Sequence, residues 1–250
     1  MPVEETTAED RDLIIAAATD YVEAWLDGDA PRMAACLHPA LAKRAAADSD
    51  SGALDLDEAP FDHMTDAAVA GGSKPYGREL DIAILDLVDG IATARVVSEP
   101  FIDLLHLARF GERWLIVNAL YQDRTDGAAA GDPAGPTRAM DDYASSWFDR
   151  DPERTRDAVH PALAERRVLD AASGSLDLDE NTFEELLEFV AEGPDEPVER
   201  RWTTEVLSTH PDIAAGRVVA LWWDICLHLA RFGDRWLIVN ILYRSTWESA

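Results

Sequence analysis

The stretch HLARFGERWLIVNALY at residues 106–121 returns as HLARFGDRWLIVNILY at 228–243, with fourteen of sixteen positions identical at a displacement of 122. Each copy reads as two apolar-rich strands joined by a short Phe-Gly-acid-Arg connection, a long antiparallel hairpin. Working outward at the same displacement, HPALAKR at 38–44 meets HPALAER at 160–166, and SGALDLDE at 51–58 meets SGSLDLDE at 173–180. Tyr21, Trp25, Asp29 and Met64 likewise fall on Tyr143, Trp147, Asp151 and Leu186, so the register holds without insertion or deletion. A solenoid needs three or more short repeats. Each unit here is long enough to bury a core of its own. The expected organisation is a first domain over 1–124, a Gly- and Pro-rich linker over 125–137, and a second domain over 138–250.

Within the first unit, Ile14, Ala18, Tyr21, Val22 and Trp25 recur along one side of an amphipathic helix over about 9–26. Asp29, and Asp151 before Pro152, cap a short second helix that ends near His38-Pro39 or its counterpart. A third helix follows the DLD segment, and in the second unit Asn181 and Glu184 suit a capping box. Strands are expected over 80–87, 91–97, 101–109 and 113–121, with Asp89-Gly90 a strong hairpin signal. Helices followed by a strand meander describe an α+β domain with one sheet face covered by helices.

Forty-nine acidic residues against twenty-two basic ones give a formal net charge of -27, and only two of the basic residues are lysines. Such a surface repels nucleic acid and anionic membranes, so neither is expected as a partner. It suits a soluble protein, either adapted to a saline cytoplasm or simply acidic. Cys36 and Cys226 are not counterparts in the repeat and form no metal spacing, so both read as buried free thiols. The opening residues lack a signal-peptide pattern and no apolar run is long enough to span a bilayer, which leads to the expectation of a cytoplasmic chain.

The segments YVEAWLDGDAPRMAACLHPALAKR and FIDLLHLARFGERWLIVNALY resemble the nuclear-transport-factor-2-like superfamily, and within it the SnoaL-like and lumazine-binding group. YASSWFDRDPERTRDAVHPALAERR and WWDICLHLARFGDRWLIVNILY carry the same resemblance in the second unit. The resemblance implies a cystatin-like fold in tandem: cone-shaped domains, each with three N-terminal helices packed on a strongly curved antiparallel sheet around a pocket. It also implies that the two domains can associate as an intramolecular pseudo-dimer. It implies no single chemistry, because the scaffold hosts isomerases, dehydratases, cyclases, a hydrolase and noncatalytic binding domains.

Several residues are candidates for a site. His228 and Asp224 alternate onto one strand face with Cys226, a pairing suited to a general acid or base and its orienting partner. The first copy has no equivalent, since Asp103 is three residues from His106 and faces the other way. His160 with Arg166, and His38 with Arg44, can exchange a proton and hold an anion. Each of these also fits a structural role, histidine capping a chain reversal and arginine reaching an acid. Tyr21, Trp25, Tyr143, Trp147, Trp202, Trp222 and Trp223 can stack a small hydrophobic or planar molecule, or else seal the core. No phosphate loop, nucleophile elbow, calcium loop or compact metal motif is present, so no cofactor or metal is expected.

Two functions from different classes follow. One is a noncatalytic small-molecule-binding or scaffold protein. The other is a cofactor-independent lyase, isomerase or hydrolase in which His228 is the acid or base, Asp224 orients it, and Arg166 stabilises negative charge. A purely protein-interacting role is the third reading.

Overall fold

The computed structural model describes residues 7–71, 75–125, 131–169, 174–194, 198–221 and 223–245. The first half runs α1 (Ala8–Asp27), α2 (Ala30–Cys36), β1 (Leu37–Ala46), β2 (Leu56–Ala59), α3 (Phe61–Gly71), β3 (Asp81–Val88), β4 (Ile91–Val97), β5 (Phe101–Phe110) and β6 (Arg113–Asp123). The second half repeats that order as α4 (Ala134–Asp149), α5 (Pro152–Ala158), β7 (Val159–Val168), β8 (Leu178–Asn181), α6 (Phe183–Glu192), β9 (Trp202–Thr209), β10 (Ile213–Ala220), β11 (Trp223–Phe232) and β12 (Arg235–Ser245). Helix α4 begins at Ala134, inside the stretch read from sequence as linker; residues 126–130 of that stretch, and Trp222, lie outside the described residues.

Local chemistry sets the helix starts. Thr7 and Asp10 form a capping box at α1, and Asp29 and Asp151 each accept the backbone N–H three residues on, with proline in the first turn. At α6 the capping box is Thr182 with Glu185, one residue beyond the expected Asn181 and Glu184. Thr182→Ala is expected to cost about 1 kcal/mol of stability, measurable by urea denaturation. At the β3–β4 hairpin both Asp89 and Gly90 have positive φ, 41° and 89°, as a two-residue primed turn requires.

The sheets correct the expected architecture. Each has six strands rather than four, in the orders β2-β1-β6-β5-β4-β3 and β8-β7-β12-β11-β10-β9. Strand β1 runs parallel to β6, and β7 parallel to β12, so the sheets are mixed rather than antiparallel. Each is open, and neither is strongly curled or closed into a cone. The physical reason is that each sheet is covered on both faces. Helices pack on one face, over cores that include Ile14, Tyr21, Leu105 and Ile116 in the first half and Met140, Leu186, Leu227 and Ile238 in the second. The other face packs against the opposite sheet, where Leu104 and Leu120 join Ile213, Ala230, Phe232 and Val239, and Phe110 and Val117 join Cys226 and Leu242. Two sheets packed face to face keep their mean strand directions within about 30° of each other, with an angle set by the twist of each.

Candidate functional site

Strand parity divides each half into an inner surface under the helices and a seam between the sheets. The inner surface of the second half encloses a cavity of about 680 Å³, a volume suited to a drug-sized molecule. Tyr143, Trp147 and Phe148 enter it from α4, Leu186, Phe189 and Val190 from α6, and Trp223, Ile225 and Tyr243 from the sheet. The rings of Trp147 and Trp223 meet edge to face at 4.5 Å between centroids. Its polar residues include Glu165 and Arg167 of β7, Asp179 and Asn181 of β8, and Glu185 of α6. Arg167 is paired with Asp179 at 2.8 Å. Glu165 differs from both: it is 7% exposed and its Oε2 has no hydrogen-bond partner among the described residues. Burial, with the Asp179 charge adding to it, pushes its carboxyl up to about 8. Burial also raises the Tyr143 and Tyr243 hydroxyls, the latter to about 12.

The equivalent space in the first half is about 160 Å³. It is lined by Tyr21, Trp25, Phe101, Asp103 and Tyr121, at the positions of Tyr143, Trp147, Trp223, Ile225 and Tyr243, and Lys43 stands where Glu165 does. There Lys43 Nζ donates to the Tyr21 hydroxyl, sits 3.5 Å from Asp103 Oδ1, and lies 4.3 Å from the centre of the Tyr121 ring. Tyr21 donates in turn to Asp103 at 2.9 Å. Tyr76 stacks on Trp25 at 5.6 Å, where the second half has only Val198. The first half thus fills this space with its own side chains.

Most of the histidines and arginines singled out from the sequence lie in the seam. Asp224, Cys226 and His228 do share a face, but it is the face turned to the other sheet. Asp224 is held by Arg217 through two contacts of 2.7 and 2.5 Å, and Arg217 also reaches Asp86 of the first half at 3.3 Å. The fully buried His228 ring stacks on His106 at 3.5 Å, and its Nδ1 accepts from Asn240 at 3.3 Å. His106 accepts from Asn118 in the same way. Burial pushes His106 down to about 3 and His228 well below its usual range, so both rings are neutral near pH 7. Arg166 donates to Asn118 Oδ1 at 2.5 Å and to the Val117 carbonyl at 3.2 Å, while Arg44 donates to the Val239 carbonyl at 2.8 Å and faces Asn240 Oδ1 at 3.4 Å. A polar chain therefore runs Arg166, Asn118, His106, His228, Asn240, Arg44, crossing between the halves at each end and at its middle.

His38 and His160 perform a paired structural task. Each Nδ1 accepts a backbone N–H two residues on, from Ala40 or Ala162, which leaves Nε2 as the donor to Leu176 or Leu54 of the opposite half at 2.9 and 3.1 Å. Trp202 does not line the cavity; it stacks on Phe148 at 5.4 Å and donates to Asp141 at 3.1 Å. The structure thus brings Tyr143, Trp147 and Trp223 together in the large cavity, and Tyr21 and Trp25 in the small one. It does not bring His228, Asp224, His160 or Arg166 to either cavity.

A family model described as "Putative lumazine-binding" matches residues 9–122 and again 134–244. The chain belongs to this family, in two tandem copies. Among solved structures, an NTF2-like protein of unknown function from Silicibacter pomeroyi is 20% identical, with 48% of this chain and 99% of that one covered and a TM-score of 0.40. One from Shewanella baltica is 20% identical, covering 49% and 100%, with a TM-score of 0.41. A ketosteroid isomerase-like protein from Erwinia carotovora atroseptica is 14% identical, covering 48% and 99%, with a TM-score of 0.35. The search of curated proteins found no match.

Within this tandem of two family domains, Glu165 is the residue that sequence reasoning passed over. A signal for it exists. HPALAKR and HPALAER differ at one position, and that position reverses charge on a strand whose neighbours are unchanged. The exchange of Asp103 for Ile225 removes the matching acid, so the two substitutions together mark where the copies part.

Proposed function

We propose that the second half binds a small, flat, largely apolar molecule in its cavity, and that the first half is a folded support locked against it as an intramolecular pseudo-dimer. The corresponding domain division is 1–124 and 138–250, with the connection within 125–137. Small-molecule binding or scaffolding is the general role of the superfamily. The observation that carries the reading is the contrast between two repeated sites: about 680 Å³ lined by tryptophan, tyrosine and phenylalanine in one half, and about 160 Å³ occupied by a Lys-Tyr-Asp cluster in the other. The alternative, a lyase, isomerase or hydrolase built on His228 and Asp224, has less support. A general base needs reach to substrate, whereas His228 has no exposed surface and Asp224 is engaged by Arg217.

Titration with the neutral fluorophore N-phenyl-1-naphthylamine tests this reading. One saturable site per chain is expected, weakened on the order of tenfold or more by Trp223→Ala. Trp25→Ala, in the filled half, is expected to leave the affinity within about twofold. Absence of saturable binding, or equal losses in the two variants, would defeat the assignment.

A further inference from the structure

The two halves answer one structural problem in opposite ways, and the difference specifies a ligand. On β1, Lys43 pairs in register with Ala119 and Ala59; on β7, Glu165 pairs with the counterparts Ile241 and Asn181. Both side chains therefore leave the same point of the same surface. In the first half that surface holds an ammonium: Nζ of Lys43 lies 5.0 and 4.3 Å from the ring centres of Tyr21 and Tyr121, and 3.5 Å from the carboxylate of Asp103. The Tyr121 ring face, the Tyr21 phenol oxygen and one carboxylate are elements by which proteins hold organic cations. In the second half both rings are retained as Tyr143 and Tyr243, Ile225 replaces the acid and Glu165 replaces the lysine, so the site keeps one carboxyl and loses its ammonium. Glu165 lines a cavity walled by Trp147 and Trp223, and its buried Oε2 has no hydrogen-bond partner among the described residues.

We propose that the natural ligand of the second half is an organic cation, a protonated amine on a flat apolar body. Its charged end meets the Glu165 carboxyl, beside Tyr143 and Tyr243. Its flat body lies against the aromatic wall that Trp147 and Trp223 form edge to face. This rests on the preceding assignment of the cavity as a binding site and adds the charge of what fills it. No covalent step is involved. A buried carboxyl held near pH 8 has to lose its proton to meet a cation, so binding releases a proton at neutral pH and tightens as pH rises. The ionisable groups around Glu165 are Tyr143 from α4, Tyr243 from β12, the Arg167–Asp179 pair of β7 and β8, and Glu185 from α6.

The test uses matched probes on the full chain by calorimetry: 2-naphthylmethylamine against 2-naphthylmethanol, and tryptamine against tryptophol. Each amine is expected to bind on the order of tenfold more tightly than its alcohol at pH 8. The amine's affinity is expected to fall as pH drops from 8 to 6 while the alcohol's stays level, with proton release read from the buffer dependence of the heat. Glu165→Gln is expected to abolish the preference by weakening amine binding to the level of the alcohol. Glu165→Lys combined with Ile225→Asp recreates the first half's cluster and is expected to exclude the amines. Equal binding of amine and alcohol, or a preference that survives Glu165→Gln, overturns the cation assignment and leaves the cavity assignment standing. If neither member of either pair binds at millimolar concentration, both assignments fall.

Discussion

Phe232→Ala is expected to lower the unfolding free energy by about 3–5 kcal/mol, and to destabilise both halves together rather than the second alone. Phe232 is 1% exposed and stacks on the His160 ring at 5.1 Å, in a cluster completed by Leu104 and Leu120 of the opposite sheet. His160 is itself tied to the Leu54 carbonyl of the first half. Removing the ring therefore leaves a cavity in the seam and frees a histidine that orders a loop of the other half. Phe110 occupies the counterpart position, stacked on His38 at 5.0 Å, so Phe110→Ala has a similar expected effect. The readout is urea denaturation followed by circular dichroism and by tryptophan fluorescence, which reports on both halves. A loss below about 1 kcal/mol, or two separate transitions in the unmutated protein, would show that the seam contributes little and that the halves fold independently.

The repeat made much of the architecture legible. Helix α1, the caps at Asp29 and Asp151, and the four long strands of each half follow from periodicity and turn residues, within about two residues at most ends. Strands β1 and β7 were not legible because they are built from His-Pro-Ala-Leu-Ala rather than β-branched residues, and because a register shift after Leu37 or Val159 breaks the alternation. Missing them also hid the parallel pairing and turned a mixed sheet into an antiparallel one. Curvature was not legible at all, since it depends on what covers the outer face, and in this chain that is the other half.

The same limit governed the site. Alternation correctly put Asp224, Cys226 and His228 on one face of β11 and Asp103 on the face opposite His106. Alternation alone does not say which face looks at a cavity. Asp103 turned out to be the pocket-side residue, and the histidines the seam-side ones. The stacked His106 and His228 rings explain why the HLARFG segment is so similar in both copies: each histidine packs on the other copy's, so a change in one must suit its partner. On the inner surfaces Lys43 and Glu165, and Asp103 and Ile225, differ, and each lines a separate cavity. Likeness alone marks neither surface: Tyr21 and Tyr143 match within the cavities, while Asp224 and Cys226 of the seam replace Ile102 and Leu104.

Glu165 is expected to give the protein a stability that falls as pH rises from about 5 to 8, and Glu165→Gln is expected to remove that fall. In the folded chain the buried carboxyl keeps its proton up to about 8, against an ordinary value of 4.5. Between those values the folded state binds more protons than the unfolded state, so unfolding free energy decreases with pH, and the decrease is complete above 8. At one pKa unit per 1.36 kcal/mol the whole shift corresponds to no more than about 5 kcal/mol. His38, His106, His160 and His228 act in the opposite sense: burial lowers each, so their contribution rises as pH passes upward through the ordinary histidine range. They are present in both proteins and cancel in the difference. The measurement is the unfolding free energy of Glu165→Gln minus that of the parent at pH 5, 6.5 and 8.5. It is expected to start near zero and grow steadily in favour of the glutamine variant. A difference that stays flat with pH would mean that Glu165 is ionised and solvated in the folded protein, and the cavity would then be wetter than its aromatic walls imply. An added amine that fills the cavity is expected to reverse the trend, because an ionised Glu165 facing an ammonium no longer opposes folding.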